Sequence, residues 1–149
     1  MSNDGVGERS VQILLAEDND GDVFLIRRAL DMYLGPYNLL LAKDGEEAIQ
    51  MLERANADHR ASSLDFAVLD LNLPRRTGIQ VLERLRNTPK CASAPVIIFT
   101  SSDSPQDKAE AFRLGANRYF KKPTDLAGFM KLGEMVRDIL SSSEGTGGR

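Results

Sequence analysis

One apolar segment, residues 66–74, restricts the fold of this chain more than any other part of the sequence. It reads FAVLDLNLP, so four apolar residues precede Asp70, and a turn with Pro74 and Gly78 follows. A short apolar run between turn signals is typical of a strand buried on both faces of a parallel sheet. Asp70 would then lie at the carboxyl edge, where open α/β sheets bind ligands. Taken alone, it is equally well a solvated loop aspartate.

Other apolar runs alternate with amphipathic stretches along the chain. Strands are predicted at residues 11–16, 37–42, 95–100 and 118–120, and helices at residues 23–34, 46–57, 78–86, 105–114 and 126–140. Five strands alternating with five helices predict a flavodoxin-like, doubly wound α/β fold with a parallel sheet of order 2-1-3-4-5. Phe24 is expected at the edge of the core face of the first helix, with an exposed apolar contact as the alternative. Phe112 is expected on the apolar face of the fourth helix.

Composition fits one domain, predicted at residues 11–140 between a flexible leader (1–10) and a disordered Ser/Gly tail (141–149). The net charge of -3 offers no basic surface for DNA, and no apolar run is long enough to span a membrane. Cys91 is the only cysteine, which excludes an internal disulfide and fits a cytoplasmic location. A lone His59 in a polar loop is not expected to bind a metal.

Acidic, hydroxyl and ammonium groups follow the predicted strands. Glu17 and Asp18 follow the first strand, and Asp70 follows the third, so three carboxylates meet at one edge if these strands are neighbours. A divalent cation would relieve their repulsion, and ligands that are all oxygens favour Mg²⁺ or Mn²⁺. The backbone carbonyl of Asn72 would complete the ligand set. The alternative is that the acidic residues after the first strand, including Asp20, only cap the first helix.

The same edge carries Thr100 and Lys122, after the fourth and fifth strands. An anionic loop argues against direct binding of a flavin phosphate, which needs bare backbone amides. A carboxylate beside a metal, a hydroxyl and a lysine suits a nucleophile that accepts a phosphoryl group. Asp70 would be that nucleophile, while the metal, Thr100 and Lys122 neutralise the incoming oxygens.

Together these residues resemble the receiver domain of two-component response regulators. The resemblance covers about residues 11–140 and rests on Glu17-Asp18, on Asp70 in LDLNLP, on Thr100 after IIF, and on Lys122-Pro123 after Arg118-Tyr119-Phe120. The segments LDLNLP, FTSS and GANRYFKKP resemble most those of stand-alone receivers that serve bacteriophytochrome-type histidine kinases. Many members carry Asp before the glycine that matches Gly78, whereas this chain has Thr77. Because that position has a structural role in the turn, the difference has little bearing on phosphorylation.

The resemblance implies a role for each matching residue. Asp70 matches the phosphoacceptor and Lys122 the phosphoryl-binding lysine, since that lysine directly precedes the proline. Thr100 matches the switch hydroxyl and Tyr119 the switch aromatic residue. Glu17, Asp18 and Asp70, with the Asn72 carbonyl, match the metal ligands.

The resemblance also implies partners. A sensor histidine kinase would donate the phosphoryl group, and the sequence segments indicate a kinase of phytochrome type. The kinase is expected to dock near the first helix and Phe24. Because no output domain is expected after residue 140, the signal would pass to a protein target, a phosphotransfer protein or a second copy of the chain. The expected contact face is formed by the fourth helix, fifth strand and fifth helix.

Two other functions remain open at this point. A small phosphatase could use Asp70 as its nucleophile. Such an enzyme needs a general acid two residues later, and Asn72 at that position is a poor proton donor. The other alternative is a receiver that only binds proteins and is not phosphorylated. All residues expected for accepting a phosphoryl group are present, which argues against it. The expected protein is therefore a phosphoacceptor that modifies only itself, rather than an enzyme acting on free substrates.

Overall fold

A computed structural model describes residues 10–60 and 62–147 of the chain, with side chains described as far as residue 142. Strands and helices alternate over this part. In chain order they are β1 (Val11–Ala16), α1 (Asp20–Tyr33), β2 (Tyr37–Ala42), α2 (Gly45–Ala57), β3 (Phe66–Leu69), α3 (Gly78–Arg86), β4 (Val96–Thr100), α4 (Pro105–Arg113), β5 (Arg118–Lys121) and α5 (Leu126–Gly147).

All five strands form one parallel sheet with the order β2-β1-β3-β4-β5. This confirms the predicted topology. In the register of the central strands, Ala16 pairs with Leu69, and Leu69 pairs with Ile98. The carboxyl ends of β1, β3 and β4 therefore lie side by side, and the loops that follow them share one edge of the sheet.

The central strands are buried on both faces, because successive side chains of a strand point to opposite sides. Phe66 and Val68 of β3 pack in the layer that contains Ile26 of α1 and Phe129 and Val136 of α5. The alternate residues of β3 pack in the opposite layer, against α2, α3 and α4; its members include Ala67, Leu69, Ile49, Leu82, Ala111 and the buried Cys91. Burial on both faces explains why β3 reads as a continuous apolar run.

Side-chain caps begin the helices near the carboxyl edge. The Oδ1 of Asn19 accepts from the backbone N–H of Asp22 at 2.8 Å, and Thr77 forms a reciprocal capping box with Gln80. Gly78 is required at the start of α3, because a Cβ there would lie 2.1 Å from the backbone oxygen of Asp70. This close approach fixes the turn after β3.

Several boundary and burial predictions were wrong. Phe24 is 58% exposed and Phe112 is 46% exposed, while Ala111 is the buried apolar residue of α4. Helix α1 starts at Asp20 instead of residue 23, because Asn19 caps it. Asp20 pairs with Lys43 and does not provide the cap. The backbone of α5 stays helical through Gly147, where a disordered tail was predicted from Ser141. Once begun, a helix gains one hydrogen bond per added residue, and no proline interrupts this segment.

The remaining terminal predictions, the leader over residues 1–9 and the tail at residues 148–149, lie outside the described residues. Across the described ranges, no helix is long and apolar enough to cross a membrane.

Arg86 ties together the loops at the amino edge of the sheet. Its guanidinium donates to the backbone oxygens of Ala92, Ala94 and Gly115, at 3.0, 2.7 and 2.6 Å, and to Oδ1 of Asn117 at 3.1 Å. Burial lowers the pKa of this guanidinium from its ordinary value. The clamp joins the end of α3 to the end of α4.

Candidate functional site

The residues after β1, β3, β4 and β5 converge at the carboxyl edge of the sheet. The backbone N–H of Asp70 donates to the carbonyl of Ala16 at 3.0 Å, and the N–H of Lys122 donates to the carbonyl of Thr100 at 2.8 Å. These bonds extend the strand pairing by one residue into the site. The backbone thereby places Asp70 and Lys122 on rigid elements rather than on free loops.

The ammonium of Lys122 lies among three carboxylates. Its Nζ is 2.8 Å from Oδ2 of Asp22, 3.0 Å from Oδ2 of Asp70 and 3.0 Å from Oε1 of Glu17. Burial pulls the pKa of Lys122 down, but bonds to the three carboxylates outweigh it and the pKa lies above its ordinary value. Lys122 therefore carries a positive charge in the site.

Glu17, Asp18 and Asp70 form a group that could hold a metal ion. One carboxylate oxygen from each of the three lies within 4.8 Å of the others, and Glu17 and Asp70 are buried while Asp18 is exposed. Burial raises the pKa of Glu17 to about 6, although hydrogen bonds from Lys122 and from the Asn19 N–H oppose the shift. The neighbouring Asp70 raises it further. Hard oxygen donors with excess negative charge suit a divalent cation.

Thr100 and Asn72 lie on the other side of Asp70. The Asn72 N–H donates to Oδ1 of Asp70 at 3.0 Å, and the Asn72 amide approaches Oγ1 of Thr100 at 3.5 Å. Thr100 is fully buried, and its Oγ1 also accepts from the Ser102 N–H at 3.4 Å. The hydroxyl is thus held between the acidic site and the loop that precedes α4.

Tyr119 stands apart from the carboxylates. Its hydroxyl donates to the Ser102 carbonyl at 3.1 Å, and its ring lies 6.4 Å from that of Phe112, between centroids. Lys108 lies over the same ring at 5.4 Å. Tyr119 therefore contacts the loop after β4 and the helix α4 instead of the acidic site.

The structure brings most of the predicted site residues together, but their chemical roles stay predictions. Glu17, Asp18, Asp70 and Lys122 form one cluster, with Thr100 and Asn72 beside it. His59 is exposed in a turn, away from this cluster. Asp22 is a partner of Lys122 that was not predicted from the sequence. An acidic residue in the first turn of the helix that starts at this edge was the available signal.

The fold and this cluster define a class of protein. Residues 13–133 match the family model described as the response regulator receiver domain. The chain therefore belongs to the receiver family, whose members accept a phosphoryl group in two-component signalling.

Individual relatives make the resemblance more specific. Response regulator Rcp1 of Synechocystis sp. is 28% identical over 120 residues, covering 80% of this chain and 82% of Rcp1. The crystal structure of the phosphorylated cyanobacterial phytochrome response regulator RcpA has a TM-score of 0.79 and 29% identity, covering 91% of this chain and 96% of RcpA. Bacteriophytochrome response regulators are also among the similar structures. The predicted resemblance to phytochrome response regulators is confirmed.

One longer relative matches over only part of its length, and one similar structure contains a metal ion. The transcriptional regulatory protein CpxR of Klebsiella pneumoniae is 35% identical over 112 residues, which cover 75% of this chain but only 43% of CpxR. A Mn²⁺-bound form of Rcp1 has a TM-score of 0.72 at 29% identity, covering 88% of this chain and 92% of Rcp1.

Proposed function

We propose that this protein is a single-domain response regulator that accepts one phosphoryl group on Asp70 from a sensor histidine kinase. The observation that carries the proposal is the placement of Asp70, which is buried, 3.0 Å from Lys122 and grouped with Glu17 and Asp18. In the transfer, the P–N bond of a phosphohistidine donor breaks as a P–O bond to Asp70 forms, and the departing imidazole takes up a proton.

The metal we propose is Mg²⁺, with Mn²⁺ as its substitute. Glu17, Asp18 and Asp70, with the backbone carbonyl of Asn72, would hold it. The donor set fits because its oxygens are hard and its three carboxylates carry excess negative charge, with Lys122 pairing only with Glu17 and Asp70 among them. The Mn²⁺-bound structure of Rcp1 supports a divalent ion in a similar protein. When bound, the cation supplies positive charge where phosphoryl oxygens approach.

Lys122 and Thr100 serve the phosphorylated state in this proposal. Lys122 donates to a phosphoryl oxygen through its ammonium, and Thr100 donates through its hydroxyl. Thr100 then leaves its present contact with the Ser102 N–H, and Tyr119, bonded to the Ser102 carbonyl, senses that change. Thr100 and Tyr119 thus act as the switch residues.

The signal leaves through the face of α4, β5 and α5. That face includes exposed Phe112, with Lys108, Tyr119 and Lys121 nearby, a mixture of aromatic and charged side chains that suits a protein contact. The occupant is a downstream target, a phosphotransfer protein or a second copy. A phytochrome-type kinase is the donor favoured by the resemblance to RcpA, a phytochrome response regulator. We further propose that the protein is cytoplasmic and that the receiver domain spans residues 11–140.

Intact-mass measurement with acetyl phosphate tests this function. The wild type should gain one phosphoryl group with Mg²⁺ and none with a chelator, because the metal offsets the repulsion between the carboxylates and the anionic donor. Asp70→Asn should gain none. Asp20→Asn is the matched control, since Asp20 is exposed and pairs with Lys43. Labelling that persists in Asp70→Asn would contradict the proposal, and catalytic turnover of the donor without a mass gain would indicate a phosphatase.

A further inference from the structure

Asp22 makes a short ion pair in the site and lies outside the proposed metal ligands. Its Oδ2 is 2.8 Å from Nζ of Lys122, closer than either Asp70 or Glu17 at 3.0 Å. The potential metal cluster in the described ranges contains Glu17, Asp18 and Asp70 but not Asp22. The Asp22 N–H is held by the Asn19 cap, which fixes the backbone position of Asp22 at the start of α1.

The hydrogen-bonding capacity of Lys122 makes this contact consequential. An ammonium has three N–H donors, and three carboxylates surround this one. To donate to a phosphoryl oxygen on Asp70, Lys122 must give up one of these acceptors. Of the three acceptors, Asp22 makes the shortest contact with the ammonium and is outside the proposed metal ligands. Asp22 and the phosphoryl group therefore compete for the same ammonium.

We infer that Asp22 is a positioning residue that holds Lys122 back from the phosphoryl group and so destabilises the phosphorylated state. The inference rests on the proposed function. Asp22 accepts a charge-assisted hydrogen bond from Lys122 and so draws the ammonium away from the phosphoryl oxygens. Asp22 thereby shortens the signal by favouring the unphosphorylated site.

A purely local role for Asp22 is the simpler alternative. An acidic residue in the first turn of a helix is stabilised by the helix dipole whatever else it touches. Asp20 lies in the same turn and provides the matched comparison. The Asp20 side chain is 91% exposed and pairs with Lys43, whereas the Asp22 side chain is 23% exposed and pairs with Lys122. A helix-end effect would appear in both residues, and a competitive effect only in Asp22.

Binding of beryllofluoride, a phosphoryl mimic, measures the competition in the folded protein with Mg²⁺. Asp22→Asn should bind beryllofluoride roughly tenfold more tightly than the wild type, the scale of one weakened charge-assisted hydrogen bond. Its phosphorylated form, followed by intact mass, should persist longer by a similar factor. Asp20→Asn should match the wild type in both measurements. Asp22→Glu, which keeps the charge, should stay closer to the wild type than Asp22→Asn.

A second pair of variants tests whether Asp22 acts through Lys122. In a Lys122→Ala background, adding Asp22→Asn should leave the lifetime of the phosphorylated protein nearly unchanged, because the competed group is gone. An equal gain in both backgrounds would overturn the inference, as would wild-type or weaker beryllofluoride binding by Asp22→Asn. If the wild type takes up no phosphoryl group at all, the proposed function fails and this inference falls with it. If the wild type is phosphorylated and Asp22→Asn has the same beryllofluoride affinity and phosphoryl lifetime as the wild type, only the inference is overturned.

Discussion

The hydroxyl of Tyr119 donates a 3.1 Å hydrogen bond to the backbone carbonyl of Ser102. The N–H of the same Ser102 faces Oγ1 of Thr100 at 3.4 Å, and its side chain donates to Asp107 in α4 at 2.6 Å. One loop residue therefore joins the buried hydroxyl of the candidate site, the aromatic residue of β5 and the first turn of α4. A change at Thr100 has a short physical route to the surface.

The first prediction concerns Glu17 and Asp18, two of the proposed metal ligands. Glu17→Gln and Asp18→Asn should each weaken Mg²⁺ binding by about tenfold, because each removes one negative charge from the donor set. Phosphorylation by acetyl phosphate should slow in parallel. The chain has no tryptophan, so calorimetry or NMR is the suitable measurement. Asp20→Asn is the control, and unchanged affinity in both test variants would assign Glu17 and Asp18 to helix capping instead.

The second prediction separates accepting a phosphoryl group from responding to it. Lys122→Ala and Thr100→Ala should still take up some phosphate, since Asp70 and the acidic ligands remain. Both should lose most of the NMR shifts that beryllofluoride causes, because the ammonium and hydroxyl gain their partner only when phosphoryl oxygens arrive. Thr100→Ser keeps the hydroxyl and should respond. A full wild-type response in either alanine variant would remove that residue from the switch.

The third prediction locates the surface that changes. Amide exchange with and without beryllofluoride should differ over α4 and β5, because Ser102 and Tyr119 connect those elements to Thr100. Helix α2, which packs at the other end of the sheet beside β2, serves as the internal control. Tyr119→Phe should reduce the changes in α4 by removing the bond to Ser102. Changes restricted to the loop after Asp70 would contradict this route.

The fourth prediction concerns stability. Arg86→Ala should lower the free energy of unfolding by about 3 kcal/mol, because it leaves carbonyls of Ala92, Ala94 and Gly115 without their charged donor. Arg84→Ala is the matched control: Arg84 pairs with Glu53 at the surface and should contribute less than about 1 kcal/mol. Urea unfolding compares the two. Equal losses would show that the Arg86 contacts add no more than a surface ion pair.

Much of the fold was predictable because the strands are buried on both faces. Burial makes β3 and β4 continuous apolar runs, and the order of the sheet follows from strands alternating with helices. Exposure was harder to predict. Phe24 and Phe112 lie beside the buried stripes of α1 and α4, and a large apolar side chain gives no sign in the sequence that it faces solvent.

The site was predictable where residues directly follow strands, because parallel strands end at one edge. Glu17, Asp70 and Lys122 are of this kind. Asp22 is not: it stands inside a helix, and its acidic side chain in the first turn fits capping chemistry equally well. Its partner is 100 residues further along the chain, so the pairing depends on how α1 packs. Sequence patterns specify elements more readily than distances between side chains of different elements.

The chain has one thiol, that of Cys91, which is 2% exposed and whose pKa is raised by burial. A thiolate, rather than a thiol, reacts with maleimides and similar reagents, so this cysteine is a poor target in the folded protein. A second cysteine introduced on the outer surface would therefore take a fluorophore or spin label almost alone, without prior removal of the native one. Arg113→Cys on α4 offers such a position, from which optical or magnetic probes can follow the helix in real time.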